Sequence, residues 1–514
     1  MARRAKSLAS DQVEGSFKEQ FRRIHDYAYE ILRCNPGSTV KVKVDEMQGE
    51  SIFGRFYTCF KACKDAFVLS RPFIGLDGCF LKRKYGGELL TAVAKDANDQ
   101  MLPLAYAIVE VENKETWKWF LEILVDDLGG PEVCGACTFM SDQQKGLLPA
   151  IQELLPGAEQ RFCMRHLYSN FRKRFGGQKL KNLMWKAATV THHVAWERVM
   201  IDIKKENEDA FKYLIAIPPR FWSRLRFIRN AVTDTVVNNM TEAFNSVLVD
   251  ARCKPVISML EDIRIYMMKR WQSKRQKLEK MEGQIYTKVN SRLQEESKKS
   301  RYWIPSCAGG KVFEVAHLSV LGDKYVVNLD TQDCSCRKWM ITGTCCHALA
   351  AIRFLNLNAT DYIPLCFRKS TFEEMYNSII YPINGQNMWP TTDFLDVMPP
   401  HKRIMPGRPK KKRRLEQWEL RKDDTQLRKG GHRKRCRVCR ELGHNRTNCP
   451  QLPTQGQSSQ PSDAPPQPTQ PSQEPISATQ QPTQPSQETI YATTQPNQPS
   501  QDPTSAPPQP ILPL

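Results

Sequence analysis

Phe73-Ile74-Gly75-Leu76-Asp77-Gly78 and Thr138-Phe139-Met140-Ser141-Asp142-Gln143 are two short apolar runs that each end in an aspartate. A buried strand that delivers a carboxylate at its end sets oxygen ligands beside a phosphate. Three such carboxylates suffice to hold two divalent ions for phosphodiester chemistry. Two later stretches complete the pattern: Cys163-Met164-Arg165-His166, and Asn239-Met240-Thr241-Glu242-Ala243-Phe244-Asn245, which carries the third acid. Taken singly, a strand-end aspartate is more often a turn or cap residue than a ligand; the arrangement around these two is what gives them weight.

Working outward, strand-like apolar runs cover 72–82, 88–95, 101–111, 136–141 and 160–163. Gly86-Gly87 and Ala97-Asn98-Asp99 punctuate the first three as hairpin turns. Trp117, Phe120, Leu121 and Leu124 share one face of a helix predicted from Trp117 to Leu128, and Lys145 to Leu155 reads as another. Three antiparallel strands, a helix, a strand, a helix and a strand is the order of a ribonuclease H-like core. The expected fold class is therefore α/β: a ribonuclease H-like core with a helical insertion, followed by small zinc-binding modules and a disordered tail. The core is placed at 71–250. Its insertion, about 171–235, is helical and basic and accounts for the gap between Asp142 and Glu242. Residues 1–70 read as a helical N-terminal region, with Phe17, Phe21, Ile24, Ala28 and Ile31 at helical spacing. Residues 251–310 read as a helical connector, strongly charged and exposed from Lys274 to Lys299.

Two cysteine clusters have metal-ligand spacing. Cys334-x-Cys336 with Cys345-x-His347 lies in a segment, 311–356, that alternates as strands before a helix. On a strand, i and i+2 share a face, so both thiols can meet one ion, with Cys345 and His347 at the start of the next helix. This cluster resembles a SWIM-type zinc finger, including Trp339. Cys436-x-x-Cys439, His444 and Cys449 have the spacing of a CCHC zinc knuckle within 436–450, a segment too short to fold without its metal. Two structural zinc ions are expected. Knuckles contact single-stranded nucleic acid. Cys59, Cys63, Cys134 and Cys137 lack partner clusters and read as buried thiols.

The chain has 514 residues and a net charge of +20, unevenly spread: residues 401–440 hold 17 Lys and Arg against 4 Asp and Glu. Within the basic linker, 357–435, the run Arg408, Lys410, Lys411, Lys412, Arg413 and Arg414 reads as a phosphate-binding patch or nuclear import signal. Residues 451–514 hold no Lys or Arg and repeat Gln-Pro-Thr-Gln-Pro-Ser-Gln from Gln467 and again from Gln481, a composition expected to be disordered. No apolar run is long enough to span a membrane, and 17 scattered cysteines fit a reducing compartment.

The motifs resemble the transposases of Mutator-like elements, the MuDR family, over about residues 20–400. Gly75-Leu76-Asp77-Gly78-Cys79-Phe80-Leu81-Lys82, Leu104 to Glu110, Ser141-Asp142, Arg161-Phe162-Cys163-Met164-Arg165-His166-Leu167 and Asn239 to Asn245 carry the resemblance. The SWIM finger, Pro406-Gly407-Arg408-Pro409-Lys410 and, in plant members, a terminal knuckle accompany it. The resemblance implies a catalytic Asp77–Asp142–Glu242 triad, two Mg²⁺ or Mn²⁺ ions, DNA cleavage and strand transfer, an accessory Cys163/His166 motif, a nuclear location and, in an active enzyme, a homo-oligomer on DNA. Family members usually carry a separate DNA-binding domain ahead of this region, whereas here the chain begins almost at it. That, with the Gln/Pro tail, supports a second reading: a transposase-derived, non-enzymatic nuclear regulator.

Overall fold

A computed structural model describes residues 17–400, apart from 84, 145, 229, 230 and 321, together with 9, 12, 436–440 and 488–490. Contacts divide the chain into residues 1–403 with 485–514, and residues 404–484. The larger unit is built on a mixed sheet. Its strands are β1 (Thr39–Met47), β2 (Glu50–Cys59), β3 (Phe73–Phe80), β4 (Glu88–Lys95), β5 (Met101–Val109), β6 (Thr138–Ser141) and β7 (Glu159–Phe162), in the spatial order β1-β2-β5-β4-β3-β6-β7. Pairing is antiparallel from β1 to β3, then parallel for β3–β6 and β6–β7. All eight positions of β4 are buried, so both of its faces are covered, which explains an apolar run without polar alternation.

Helices complete the layers. Lys114–Asp127 packs on β2 and β5, and Asn239–Val247 packs on β3, β4 and β5. The Lys114–Asp127 helix opens on a capping box: the Asn113 side chain accepts the Thr116 N–H, and Thr116 answers to the Asn113 N–H. The core gathers Phe56, Leu76, Val93, Trp117, Phe120, Phe139, Phe244, Ile263 and Trp271. Between β7 and the helix Asn239–Val247, four helices (Met164–Phe171, Gln178–Thr189, His193–Glu206 and Glu208–Ile215) close on their own core of Phe171, Met184, Trp196, Ile203, Leu214 and Trp222. A second sheet, of β8 (Trp303–Gly309), β9 (Val312–His317), β10 (Lys324–Asn328) and β11 (Asp333–Cys334), packs against the helix Cys346–Phe354.

The structure departs from the sequence reading at four places. The described part of the N-terminal region, residues 17–70, is not helical throughout: β1 and β2 lie between its helices, because Val40, Val42 and Val44 alternate buried with half-exposed neighbours. The charged stretch from Lys274 is not simply exposed, since Lys274 is buried on Asp96, at 2.8 Å, and Glu296 is buried against Lys299 and Lys338. Cys336 lies beyond the two-residue β11, in the turn before Arg337, so strand alternation does not set its direction. Within the segment expected to be disordered, a strand β12 (Glu488–Ile490) pairs antiparallel with β1. The rest of that segment lies outside the described residues.

Candidate functional site

β3 and β6 run parallel with Gly75 opposite Met140, so Asp77 and Asp142, each two residues further on, emerge level with each other. Glu242 joins them from the first turn of the helix Asn239–Val247. Asp77 is held by Asn245 of that helix, whose Nδ2 donates to its Oδ2 at 2.8 Å. Burial, then the nearby charge of Asp142, pushes the Asp77 carboxyl up to about 6, with Asn245 pulling the other way. Carboxylates converge here at a cost that a cation would relieve. Glu242 pairs with Arg165 through Oε2, while its Oε1 is buried without a hydrogen-bond partner.

Cys163 and His166 belong to the same site. The ligand atoms of Cys163, His166 and Glu242 lie within 4.8 Å of one another. Hydrogen bonding to Cys163 raises the His166 imidazole to about 9 against the effect of burial. Burial pushes the Cys163 thiol up, but hydrogen bonds from His166 and the Asn238 backbone outweigh it and bring it below its ordinary value.

A fourth acid, Glu112, was not apparent in the sequence. It sits just before the capped helix, with its carboxylate over Gly78, where a Cβ would lie 2.8–3.0 Å from it. Trp117 Nε1 donates to Glu112 Oε1 at 3.1 Å. Burial raises its carboxyl to about 7 despite that bond, with Asp142, Glu88 and Asp77 adding to the rise. The available clue was its place: a glutamate immediately before an N-cap asparagine, at the end of the third core strand.

The second site is a cysteine–histidine cluster. Cys334, Cys336, Cys345 and His347 are all buried, with ligand atoms within 4.8 Å of one another. Tetrahedral zinc with bonds of about 2.3 Å sets its sulfur ligands ~3.8 Å apart, so these donors fit zinc in kind, number and spacing. Cys345 precedes the helix Cys346–Phe354 and His347 lies in its first turn, where the sequence placed them. Burial drives the Cys345 thiol well above its ordinary value, so a thiolate there requires a bound cation. Cys346 is half-buried and outside the four-residue set. Cys59, Cys63, Cys134 and Cys137 are buried thiols.

Of the expected knuckle, Cys436 and Cys439 flank a turn in which the Arg440 N–H donates to the Cys436 carbonyl at 2.9 Å and the Val438 N–H lies 3.4 Å from its sulfur. His444 and Cys449, and the basic run from Arg408 through Lys410, Lys411, Lys412 and Arg413 to Arg414, lie outside the described residues. No described helix is long and apolar enough to cross a membrane.

These features define an α/β protein with an acid-lined sheet end and a structural zinc module. A family model of the MULE transposase domain matches residues 73–170, and one of the SWIM zinc finger matches residues 325–356. The pair matches a MuDR-like transposase with its SWIM finger. The first match spans Asp77, Asp142, Cys163 and His166 and ends before Glu242. No curated protein matches the chain significantly.

Proposed function

We propose that the chain is a Mutator-type DNA transposase that cleaves phosphodiester bonds and transfers strands at a ribonuclease H-like core. The observation that carries this reading is the convergence of Asp77, Asp142 and Glu242 from two neighbouring parallel strands and one helix, with both aspartates inside the matched transposase domain and Glu242 beyond its end. The strand order β5-β4-β3-β6-β7, antiparallel then parallel, supports the ribonuclease H-like assignment. A raised acid, a second strand-end carboxylate and a buried unpartnered Glu242 oxygen fit hard divalent cations.

Asp77 and Asp142 would hold Mg²⁺ or Mn²⁺, and Glu242 would complete the set once its carboxylate leaves Arg165. Bound there, the ions supply activation of water or a 3′-hydroxyl and charge neutralisation at the leaving oxygen. Asn245 orients Asp77. Arg165, released from Glu242, is placed for a DNA phosphate. Zinc at 334–347 has a structural role. The 436–449 knuckle and the Arg408–Arg414 run would bind nucleic acid chiefly through phosphates, and the same basic run would direct the protein to the nucleus. A homo-oligomer would bring two such sites to paired element ends.

The test is nicking of element-end DNA with Mg²⁺ or Mn²⁺ and its absence with Ca²⁺. Asp77→Asn, Asp142→Asn and Glu242→Gln should each abolish nicking while DNA affinity stays within about twofold, because an amide keeps the shape and loses the charge that holds the metals. Wild-type protein that binds DNA but never cleaves it would leave a transposase-derived regulator. Cleavage persisting in Glu242→Gln would show that the third ligand is another residue.

A further inference from the structure

Asn238 stands immediately before the helix that carries Glu242 and is 2 % exposed. Its side-chain amide donates to the carbonyl of Leu76 at 2.9 Å and to that of Met140 at 3.4 Å. Leu76 precedes Asp77, and Met140 lies two residues before Asp142. The β3–β6 ladder has its last pair at Gly75 and Met140. The amide therefore spans the two strands where their own pairing stops, and both of its N–H groups are used there. The Asn238 backbone N–H meets Cys163 Sγ at 3.2 Å. Cys163 in turn donates its N–H to Ser141, the residue before Asp142, at 2.8 Å. The Asn238 carbonyl accepts from the Glu242 N–H at 3.4 Å and from the Thr241 hydroxyl at 3.1 Å, fixing the first turn of that helix.

We propose that Asn238 is the positioning residue that locks the three carboxylate-bearing elements into one geometry, with Gly75 as its seat and the Cys163 sulfur as its anchor. This rests on the reading of Asp77, Asp142 and Glu242 as the metal-binding set. Gly75 is needed because a Cβ there would stand 2.5 Å from Asn238 Oδ1. With glycine there is room for that oxygen, which has no hydrogen-bond partner. An aspartate at 238 would face two carbonyls with a charged acceptor, and a leucine would leave both carbonyls without a donor, so neither isostere can replace the amide. The same reasoning gives Cys163 a role apart from metal binding: it accepts from Asn238 and donates to Ser141, tying the helix start to the end of β6.

The test compares Asn238→Ala, Asn238→Asp, Gly75→Ala and the Gly75→Ala/Asn238→Ala double variant in the full-length protein. Two readouts are used: cleavage rate on element-end DNA, and Mn²⁺ affinity by electron paramagnetic resonance. Because displacement of reacting groups by about 1 Å can cost ~10²-fold in rate, each single variant should lose ~10²-fold in kcat with KM for DNA within about twofold. Mn²⁺ affinity should fall about tenfold, with circular dichroism unchanged at the assay temperature. Gly75→Ala should cost less in the Asn238→Ala background, since the 2.5 Å clash is gone and only Thr241 Cγ2, at 3.1 Å from the new Cβ, has to give. Wild-type cleavage and Mn²⁺ affinity in Asn238→Ala, additive effects in the double variant, or losses that only track unfolding would each overturn the proposal. If wild-type protein does not cleave, the transposase reading fails, while the Mn²⁺ affinities and their coupling still decide the role of Asn238.

Discussion

Cys345→Ser removes one of four ligands from the cysteine–histidine cluster at a position with no solvent exposure. The Cys345 sulfur also receives the Ala348 N–H at 3.4 Å, so the substitution falls where the helix Cys346–Phe354 begins. Structural zinc in small modules contributes ~10–16 kcal/mol of apparent binding energy. One ligand's even share is about 2.5–4 kcal/mol, which weakens zinc ~10²–10³-fold. The module has little to set against that loss. Its buried core is small, with Phe313, Val315, Val327, Leu329, Trp339, Leu349 and Ile352 as the larger apolar side chains. A core that small offsets little of the entropy of ordering the module, so the sheet and helix should not persist without metal. The purified variant should hold one zinc fewer per chain. In a titration against a chromophoric chelator it should give up zinc at far lower chelator concentration. Amides of β9, β10 and the helix Cys346–Phe354 should lose exchange protection while those of β4 and β5 keep theirs. Cys307→Ser, at an exposed position in β8, should leave all of this unchanged. A Cys345→Ser protein with the wild-type zinc content and affinity, or a chelated wild-type protein with Val327 still protected, would refute the reasoning.

Other outcomes follow from the acids and the buried ions. Asp77 and Glu112 are raised to about 6 and about 7, so the metal-free fold holds protons that the unfolded chain releases above about pH 4. Its stability should therefore fall as pH rises from about 4 through 7, as denaturant midpoints with and without Mn²⁺ would show. Mn²⁺ affinity should rise over the same window and level off above it, and calorimetry in buffers of different ionisation enthalpy should count the released protons. Glu112→Gln should remove the upper part of that pH dependence; an unchanged profile would exclude Glu112 from the site. Lys274→Met leaves Asp96 buried with its carboxylate charge uncompensated, although Tyr376 and two backbone amides still donate to it, and should cost about 3–5 kcal/mol in chemical denaturation. A peptide of residues 430–451 should take up one zinc and fold on doing so, with Cys439→Ser or His444→Ala abolishing uptake.

The sequence was most legible where period and chemistry agree. β3, β4 and β5 are continuous apolar runs bounded by glycine and Asx turns, and they lie within about two residues of where those turns predict. Asp77, inside β3, and Asp142, just past β6, both lie two residues beyond the last β3–β6 pair, so the two apolar runs were enough to bring them level. β1 was missed because Lys41, Lys43 and Asp45 alternate with its valines. That is the pattern of a half-exposed strand, here read through the helical periodicity just before it. Glu112 was missed because nothing local marks a loop glutamate as a partner of residues 30 positions away in sequence. The burial of Lys274 was missed because charge density predicts exposure only when no opposite charge waits inside the fold; Asp96 does. Cys336 was placed correctly in the cluster for an incomplete reason, since a turn rather than a strand aims its thiol.

The long separation of Glu242 from the two aspartates follows from the same physics. The four helices between Phe162 and Asn238 bury a core of their own, so they can stand as an insertion without drawing on the sheet for stability. What an insertion threatens is the register of whatever follows it, because the chain returns to the sheet with no strand pairing to guide it. Here the return is fixed at its last step: the Met164 N–H donates to Val236 at 2.8 Å, Cys163 meets the Asn238 backbone, and the Asn238 amide closes on Leu76 and Met140. The zinc module adds a support from outside. Arg337, in a left-handed turn directly after Cys336, donates to the carbonyls of Leu225 and Phe227, and Thr191 donates to Cys336. Loss of zinc should therefore loosen the insertion and, through it, the approach to Asn238. Removal of zinc, with the chelator then washed out and Mg²⁺ restored, should lower cleavage of DNA before it lowers the melting temperature of the main sheet, and full cleavage by the zinc-free protein would show that the two sites are uncoupled.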